Sequence, residues 1–330
     1  IFYKMQLRKI YYLMLIIPLL FFYTGCSEDS TEPEVAVNEA EVLVTYLEAN
    51  NDPVAVFPNM ITASDVNIGI IASANNYIID IRDGATFAAG HIQGAVNVAA
   101  GDVLNHYEAN NLDTKAKVVI VCFSGQTAGW VNGLLRTVGK TNTFDLKWGM
   151  CSWNAATSGS WTSESNVNNS KASQLVQAAT AKPAAGNLPT LSTGKTDPTE
   201  ILRARVEAVF AEGFTPAKVG NGDVFGNKAG YCIANYWSEA DYSWGHIDGA
   251  MQYTPGTSLK LAADLKTLAT DKPVAVYCYT GQTSAHAAAY LRVLGYDAKS
   301  ILYGANGMAH DDMPGTKWAD TEIKGYDLVQ

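Results

Sequence analysis

Two segments of this chain are near copies of each other: Val121-Cys122-Phe123-Ser124-Gly125-Gln126-Thr127-Ala128 and Tyr277-Cys278-Tyr279-Thr280-Gly281-Gln282-Thr283-Ser284. The repeat extends well beyond them. Gly90-His91-Ile92-Gln93-Gly94-Ala95 returns as Gly245-His246-Ile247-Asp248-Gly249-Ala250, and Trp148-Gly149 returns as Tyr303-Gly304. Leu135-Arg136-Thr137-Val138-Gly139 returns as Leu291-Arg292-Val293-Leu294-Gly295. The offset is 155 residues at the histidines and 156 at the cysteines. A period this long marks a duplicated domain of roughly 120–130 residues and excludes a solenoid. Whatever architecture one copy adopts, the other must adopt too.

Each copy opens on a helical pattern. Val42, Leu43, Tyr46 and Leu47 carry i, i+3, i+4 spacing, and Ile201, Val206, Val209 and Phe210 repeat it. Short apolar runs predict strands at 77–81, 118–121 and 142–146 in the first copy, and at 231–234, 274–276 and 300–303 in the second. Strands alternating with helices predict an α/β fold: two domains, each a mainly parallel sheet flanked by helices on both faces. Ligands of such sheets bind outside the carboxyl ends of the strands, where both cysteines are placed. The boundaries read as a leader at 1–26, a tether at 27–35, a first domain at 36–155, a linker at 156–195 and a second domain at 196–330. The linker is rich in Ser, Asn, Ala and Thr and contains Pro183 and Pro189. It reads as having one short helix around 172–180; the alternative is that it wraps one of the domains.

Lys4, Arg8 and Lys9 precede an apolar run over 10–23, too short for a comfortable membrane span. The run ends in Thr24-Gly25-Cys26 and is followed by Ser27-Glu28-Asp29-Ser30, which together resemble a bacterial lipoprotein signal. The resemblance implies that Cys26 is lipidated and becomes the first mature residue. The protein would then sit in the bacterial cell envelope, lipid-anchored to a membrane and facing the periplasm or the exterior. An uncleaved anchor is the alternative. A net charge of −9 argues against nucleic acid as a partner. It also requires that any thiolate be stabilised locally.

Of five cysteines, four remain if Cys26 is lipidated: Cys122, Cys151, Cys232 and Cys278. An oxidising envelope permits a disulfide among them. No C-x-x-C and no Cys/His cluster occurs, so no metal and no cofactor is expected. Cys232, at the start of a predicted strand, reads as a small hydrophobe. Cys151 has no counterpart in the second copy; it either packs in the core or approaches Cys122 as a resolving thiol.

A cysteine at the end of a buried strand, followed by a glycine-containing loop and a helix start, is a place to make a thiolate. Inward-pointing loop amides and the helix dipole both lower a thiol pKa. Ile79-Asp80-Ile81-Arg82, the Gly-His-Ile-x-Gly-Ala segment and Cys122-Phe123-Ser124-Gly125-Gln126-Thr127 together resemble the rhodanese family of sulfurtransferases. The resemblance covers about 36–153 and again about 196–310. It implies that Cys122 and Cys278 are catalytic and carry sulfane sulfur as a persulfide. Phe123, Ser124, Gly125, Gln126 and Thr127 would form one active-site loop, and Tyr279, Thr280, Gly281, Gln282 and Thr283 the other, with Asp80 and Arg82 in support. Thr127 and Thr283 would donate a hydroxyl to the sulfur or cap the following helix. The implied partners are a small sulfur donor and a thiol or cyanide-like acceptor, with an envelope protein as a further acceptor.

Several residues depart from the family pattern. Phe123 and Ser124, or Tyr279 and Thr280, stand where rhodaneses that favour thiosulfate commonly carry basic residues. A neutral or thiol-type persulfide donor therefore suits the site at least as well. Asn235 and Trp237 stand where Asp80 and Arg82 stand. That first-copy pair either ties a strand end to the next turn or shapes the pocket, in which case Cys122 is the better catalyst. His91 and His246 read as structural; His106, His286 and His310 have no repeated partner and read as surface or packing residues. Trp148, Trp153 and Tyr303 read as wall and core. A phosphatase would need an arginine six places after the cysteine, where Ala128 and Ser284 stand. The remaining alternatives are a catalytically inactive, lipid-tethered binding module and a persulfide relay.

Overall fold

The computed structural model describes residues 38–330. Cys26, the leader and the tether lie outside the described residues. Asn38 caps the first helix by accepting from the Ala40 and Glu41 amides. The first repeat runs α1 (Glu39–Asn50), β1 (Met60–Ile61), α2 (Ala63–Ile71), β2 (Asn76–Asp80), α3 (Gly84–Ala89), β3 (Ala95–Asn97), α4 (Val103–Ala109), β4 (Lys117–Val121), α5 (Gln126–Thr137) and β5 (Thr143–Leu146). Its sheet has the order β1-β5-β4-β2-β3, and every pairing is parallel.

The segment between the repeats holds α6 (Gly159–Thr162), a 3-10 turn at Ala172–Gln174 and β6 (Leu175–Val176). Where the sequence predicts a short helix around 172–180, the chain makes that turn and then extends. The reason is that Leu175 and Val176 pair antiparallel with Ile247 and His246. The second repeat runs α7 (Pro198–Glu212), β7 (Lys218–Val219), α8 (Asn221–Gly226), β8 (Cys232–Asn235), α9 (Glu239–Trp244), β9 (His246–Ile247), β10 (Met251–Gln252), β11 (Val274–Tyr277), α10 (Gln282–Val293) and β12 (Ala298–Ile301). Its parallel sheet, β7-β12-β11-β8-β10, repeats the first in order.

The protein is therefore an α/β structure of two parallel sheets flanked by helices, and the central strands β4 and β11 are buried on both faces. The repeats belong to one compact unit. A single hydrophobic core joins them, with Leu43, Leu47, Trp130 and Leu134 from the first and Val206, Phe210, Tyr290 and Leu291 from the second. Each sheet buries its other face in a cluster of its own. At the centre α5 packs on α10. Gly133 allows this, because a Cβ there would lie 2.9 Å from the His286 Cα and 3.0 Å from the Ala289 Cβ.

The trailing segments also cross over. The inter-repeat segment adds β6 to β9 of the second repeat. The C-terminal segment returns to the first repeat, where Val329 bridges His91, the Lys324 amide donates to Ser152 and the Trp153 indole donates to the Asp327 carbonyl. His91 and His246 thus occupy matching structural positions. Each ring stacks on a neighbour four residues back, Phe87 or Tyr242, and bonds that neighbour's carbonyl at 2.9 and 2.8 Å.

Candidate active site

Cys122 and Cys278 follow β4 and β11 directly, at the carboxyl ends of their sheets. The loops then reach Gly125 and Gly281, which sit at the helix N-cap with φ of +86° and +78° and bring no capping side chain of their own. The first amides of a helix have no partner within it. Here the sulfurs supply one. The Cys122 Sγ accepts from the amides of Gly125 at 3.2 Å and Ala128 at 3.3 Å. The Cys278 Sγ accepts from those of Gly281 at 3.2 Å and Ser284 at 3.3 Å. The amides point inward in both copies, and each sulfur lies at the positive end of a 12-residue helix.

The predicted thiolate stabilisation does not hold for Cys122 as a whole. Burial pushes its thiol up to about 11, although the amides of Ala128, Gly125 and Ser124 act the other way; the Asp145 carboxylate raises it further. Only 4% of Cys122 and 2% of Cys278 is exposed. Cys151 is fully buried, its thiol donates to the Phe123 carbonyl at 3.3 Å, and burial raises its pKa. No disulfide links the four cysteines. Cys232 packs in the shared core.

The hydroxyl donors are not the ones the sequence pattern predicts. Neither Thr127 nor Thr283 bonds its sulfur or caps its helix. The hydroxyls near Cys278 are those of Ser284 at 3.5 Å and Thr280 at 3.9 Å. Cys122 has no counterpart to the first of these, because Ala128 occupies that position.

Around the loops the two copies differ. Arg82 and Asp80 form a buried ion pair at 2.6 Å, and Arg82 also donates to the Gly90 carbonyl at 2.8 Å. The pair ties the end of β2 to the next turn, and its guanidinium lies 5.8 Å from the centre of the Phe123 ring. Phe123 is 45% exposed. In the second copy Trp237 stands in for Arg82 and stacks on Tyr279 at 4.9 Å, with the planes 8° apart. The Tyr279 hydroxyl donates to Asp241, and Gly315 of the C-terminal segment lies against the ring.

The loops also hold each other. Gln126 accepts from the Tyr303 amide and Gln282 from the Trp148 amide, both at 2.8 Å. Gln282 also donates to Asp145 at 2.8 Å, and Asn132 donates to the same carboxylate at 3.0 Å. The fourth member is His286, whose Nε2 lies 2.7 Å from Asp145. Read from sequence as a surface or packing residue, His286 is a fully buried polar link between the repeats. Asp145 carried no sequence signal of its own, since Ser300 stands at its place in the second copy. Trp148, Trp161, Trp318 and Cys151 pack as one cluster, with Tyr303 against it, and the Trp161 indole donates to the Ser124 carbonyl at 2.9 Å. Trp161 belongs to the inter-repeat segment, so that segment reaches the Cys122 loop.

A model of the rhodanese-like domain matches residues 65–156 and 236–309. The thiosulfate sulfurtransferase GlpE of Pseudomonas fluorescens (strain SBW25) is 33% identical over 76 residues, 23% of this chain and 68% of that protein. GlpE of Pseudomonas putida (strain GB-1) is 32% identical over 78 residues, 24% of this chain and 69% of that protein. Among solved structures, a thiosulfate sulfurtransferase from Pseudomonas aeruginosa is 16% identical with a TM-score of 0.31, covering 86% of this chain and 49% of that one.

Proposed function

This chain belongs to the rhodanese family of sulfurtransferases, and on that premise we propose that it moves sulfane sulfur through a persulfide on Cys122 or Cys278. One observation carries the reading: in each copy an inward pair of amides at a helix N-terminus holds a cysteine sulfur at the carboxyl end of a parallel sheet. In the first half-reaction the thiolate attacks the outer sulfur of a donor R–S–SH. The new S–S bond leaves Cys–S–SH, and R–S⁻ departs with the electron pair of the broken bond. In the second, a thiolate or cyanide attacks the outer sulfur and the electron pair returns to the cysteine. The loop amides stabilise the anionic sulfur at both stages.

The donor class follows from charge. Neither loop presents a cation after its cysteine, and Arg82 is committed to Asp80 and Gly90. A thiol-type persulfide suits such a site better than dianionic thiosulfate. The near-complete cover of both sulfurs favours a second reading, a relay that exchanges sulfur with a partner whose docking opens the loop. Lipid attachment at Cys26 would place either activity in the cell envelope.

The test is a sulfane donor plus cyanide, comparing the unchanged protein with Cys122→Ser and Cys278→Ser. At least one single variant is expected to lose most of the turnover, with one added sulfur found by mass spectrometry on the surviving thiol. A protein inactive with every donor, and never found carrying extra sulfur, would sink the proposal.

A further inference from the structure

The Cys278 sulfur begins a chain of hydroxyls that the Cys122 sulfur lacks. Ser284 Oγ lies 3.5 Å from it, Ser300 Oγ lies 2.7 Å from Ser284 Oγ, and Ser300 donates to the Gly281 carbonyl at 3.1 Å. Both serines are fully buried. The corresponding positions in the first repeat are Ala128 and Asp145, neither of which carries a hydroxyl. We propose that Ser284 is a positioning residue for the Cys278 sulfur, held by Ser300, and that this pair gives an anionic Cys278 sulfur a hydroxyl donor that Cys122 lacks.

The directions of the bonds explain how. Ser300 commits its proton to Gly281, so its oxygen is free to accept from Ser284. Ser284 then accepts from the Cys278 thiol. When that thiol loses its proton, the Ser284 hydroxyl rotates and donates to the sulfur anion. The bond given up is between neutral groups and the bond gained is to a charge, which is the stronger kind. A persulfide anion at Cys278 draws on the same donor. Thr280 lies 3.9 Å from the sulfur, and its oxygen also accepts from the Gln282 amide. The ionisable groups facing this loop are Tyr236 and Tyr279, with Asp241 beyond Tyr279 and the Asp145–His286 pair across the repeat interface. Substitution of Ser284 leaves all of them in place.

This inference rests on the sulfurtransferase reading for its purpose, but its test uses no sulfur donor. The protein is alkylated with iodoacetamide from about pH 5 to about pH 11, and the Cys278 and Cys122 peptides are quantified separately. Ser284→Ala is expected to raise the Cys278 midpoint by about one unit, an approximately tenfold slower reaction at neutral pH. Ser300→Ala should move it less, in the same direction, while Cys122 keeps its midpoint in both variants. An unmoved Cys278 midpoint in Ser284→Ala overturns the assignment. So does an equal shift at Cys122, which would report general loosening, and so does a Cys278 that is never alkylated at any pH. A protein inactive with sulfur donors would leave a Cys278-specific shift standing.

Discussion

Beside the Cys122 loop stand Arg82 and Asp145; at the matching places beside the Cys278 loop stand Trp237 and Ser300. The backbones of the loops agree, in the positive φ of their glycines and in the two amides given to each sulfur. The surroundings have exchanged charge for aromatic and hydroxyl contacts. Duplication has thus kept the peptide geometry of the site and the reciprocal glutamine bonds between the loops, while the other side chains around the sulfurs have diverged. The charged groups of the first repeat now do structural work: Arg82 locks a turn, and Asp145 takes Gln282 and His286 across the interface together with Asn132 of its own repeat.

Arg82→Ala gives the largest effect expected from this contrast. It leaves the Asp80 carboxylate buried without its partner, and removing one member of a buried pair costs about 3–5 kcal/mol. Trp237→Phe at the matching place keeps an aromatic ring over Tyr279 and truncates only part of a buried side chain, so it should cost about 1–2 kcal/mol. Denaturant unfolding of the two variants measures the difference; equal losses would mean that the ion pair contributes nothing special. Next comes Gly133→Ala, which gives α5 the methyl that α10 already has at Ala289. The methyl would press on the His286 backbone and cost about 1–3 kcal/mol. If Gly133→Ala is neutral, the helices do not depend on that close approach.

The duplicated sheets were legible because strand runs such as 118–121 and 274–276 are continuously β-branched or small and the repeat supplied each reading twice. The cysteine positions were legible for the same reason. The crossing of the trailing segments was legible only in part: the sequence left open that the linker wraps one domain, but not that it pairs with β9 and also reaches the Cys122 loop. Leu175, Val176 and Val329 make ladder contacts through their backbones, and backbone hydrogen bonds leave no apolar period in the sequence. His286 and Asp145 were missed because each meets its partner 141 residues away, in the other repeat, and neither is itself repeated. The rise in the Cys122 pKa was missed because a motif shows the amides that lower a thiol pKa but not the burial that raises it.

A thiol pushed up to about 11 is almost wholly protonated at neutral pH, so its reaction rate should climb about tenfold per pH unit and level off only near about 11. Asp145→Asn removes a negative charge that adds to the rise, and it should move the Cys122 midpoint down by less than about one unit. If the Cys122 midpoint lies near the ordinary thiol value, burial is not governing this sulfur and the two copies are closer than their surroundings suggest.

The smallest effect is expected where the sequence pointed to a large one. Thr127 and Thr283 occupy identical loop positions, and a hydroxyl donor there would serve both sulfurs equally. The geometry assigns neither threonine that bond. The partners of Cys122 are amides, and the closer hydroxyl at Cys278 belongs to Ser284. Thr127→Ala and Thr283→Ala should therefore change the alkylation rate of the adjacent cysteine by less than about twofold, well under the worth of a hydrogen bond to an anion. Symmetric losses of tenfold in both variants would show that the threonines turn onto the sulfurs once these ionise. The hydroxyl supply would then be common to both copies, and Ser284 would no longer distinguish them.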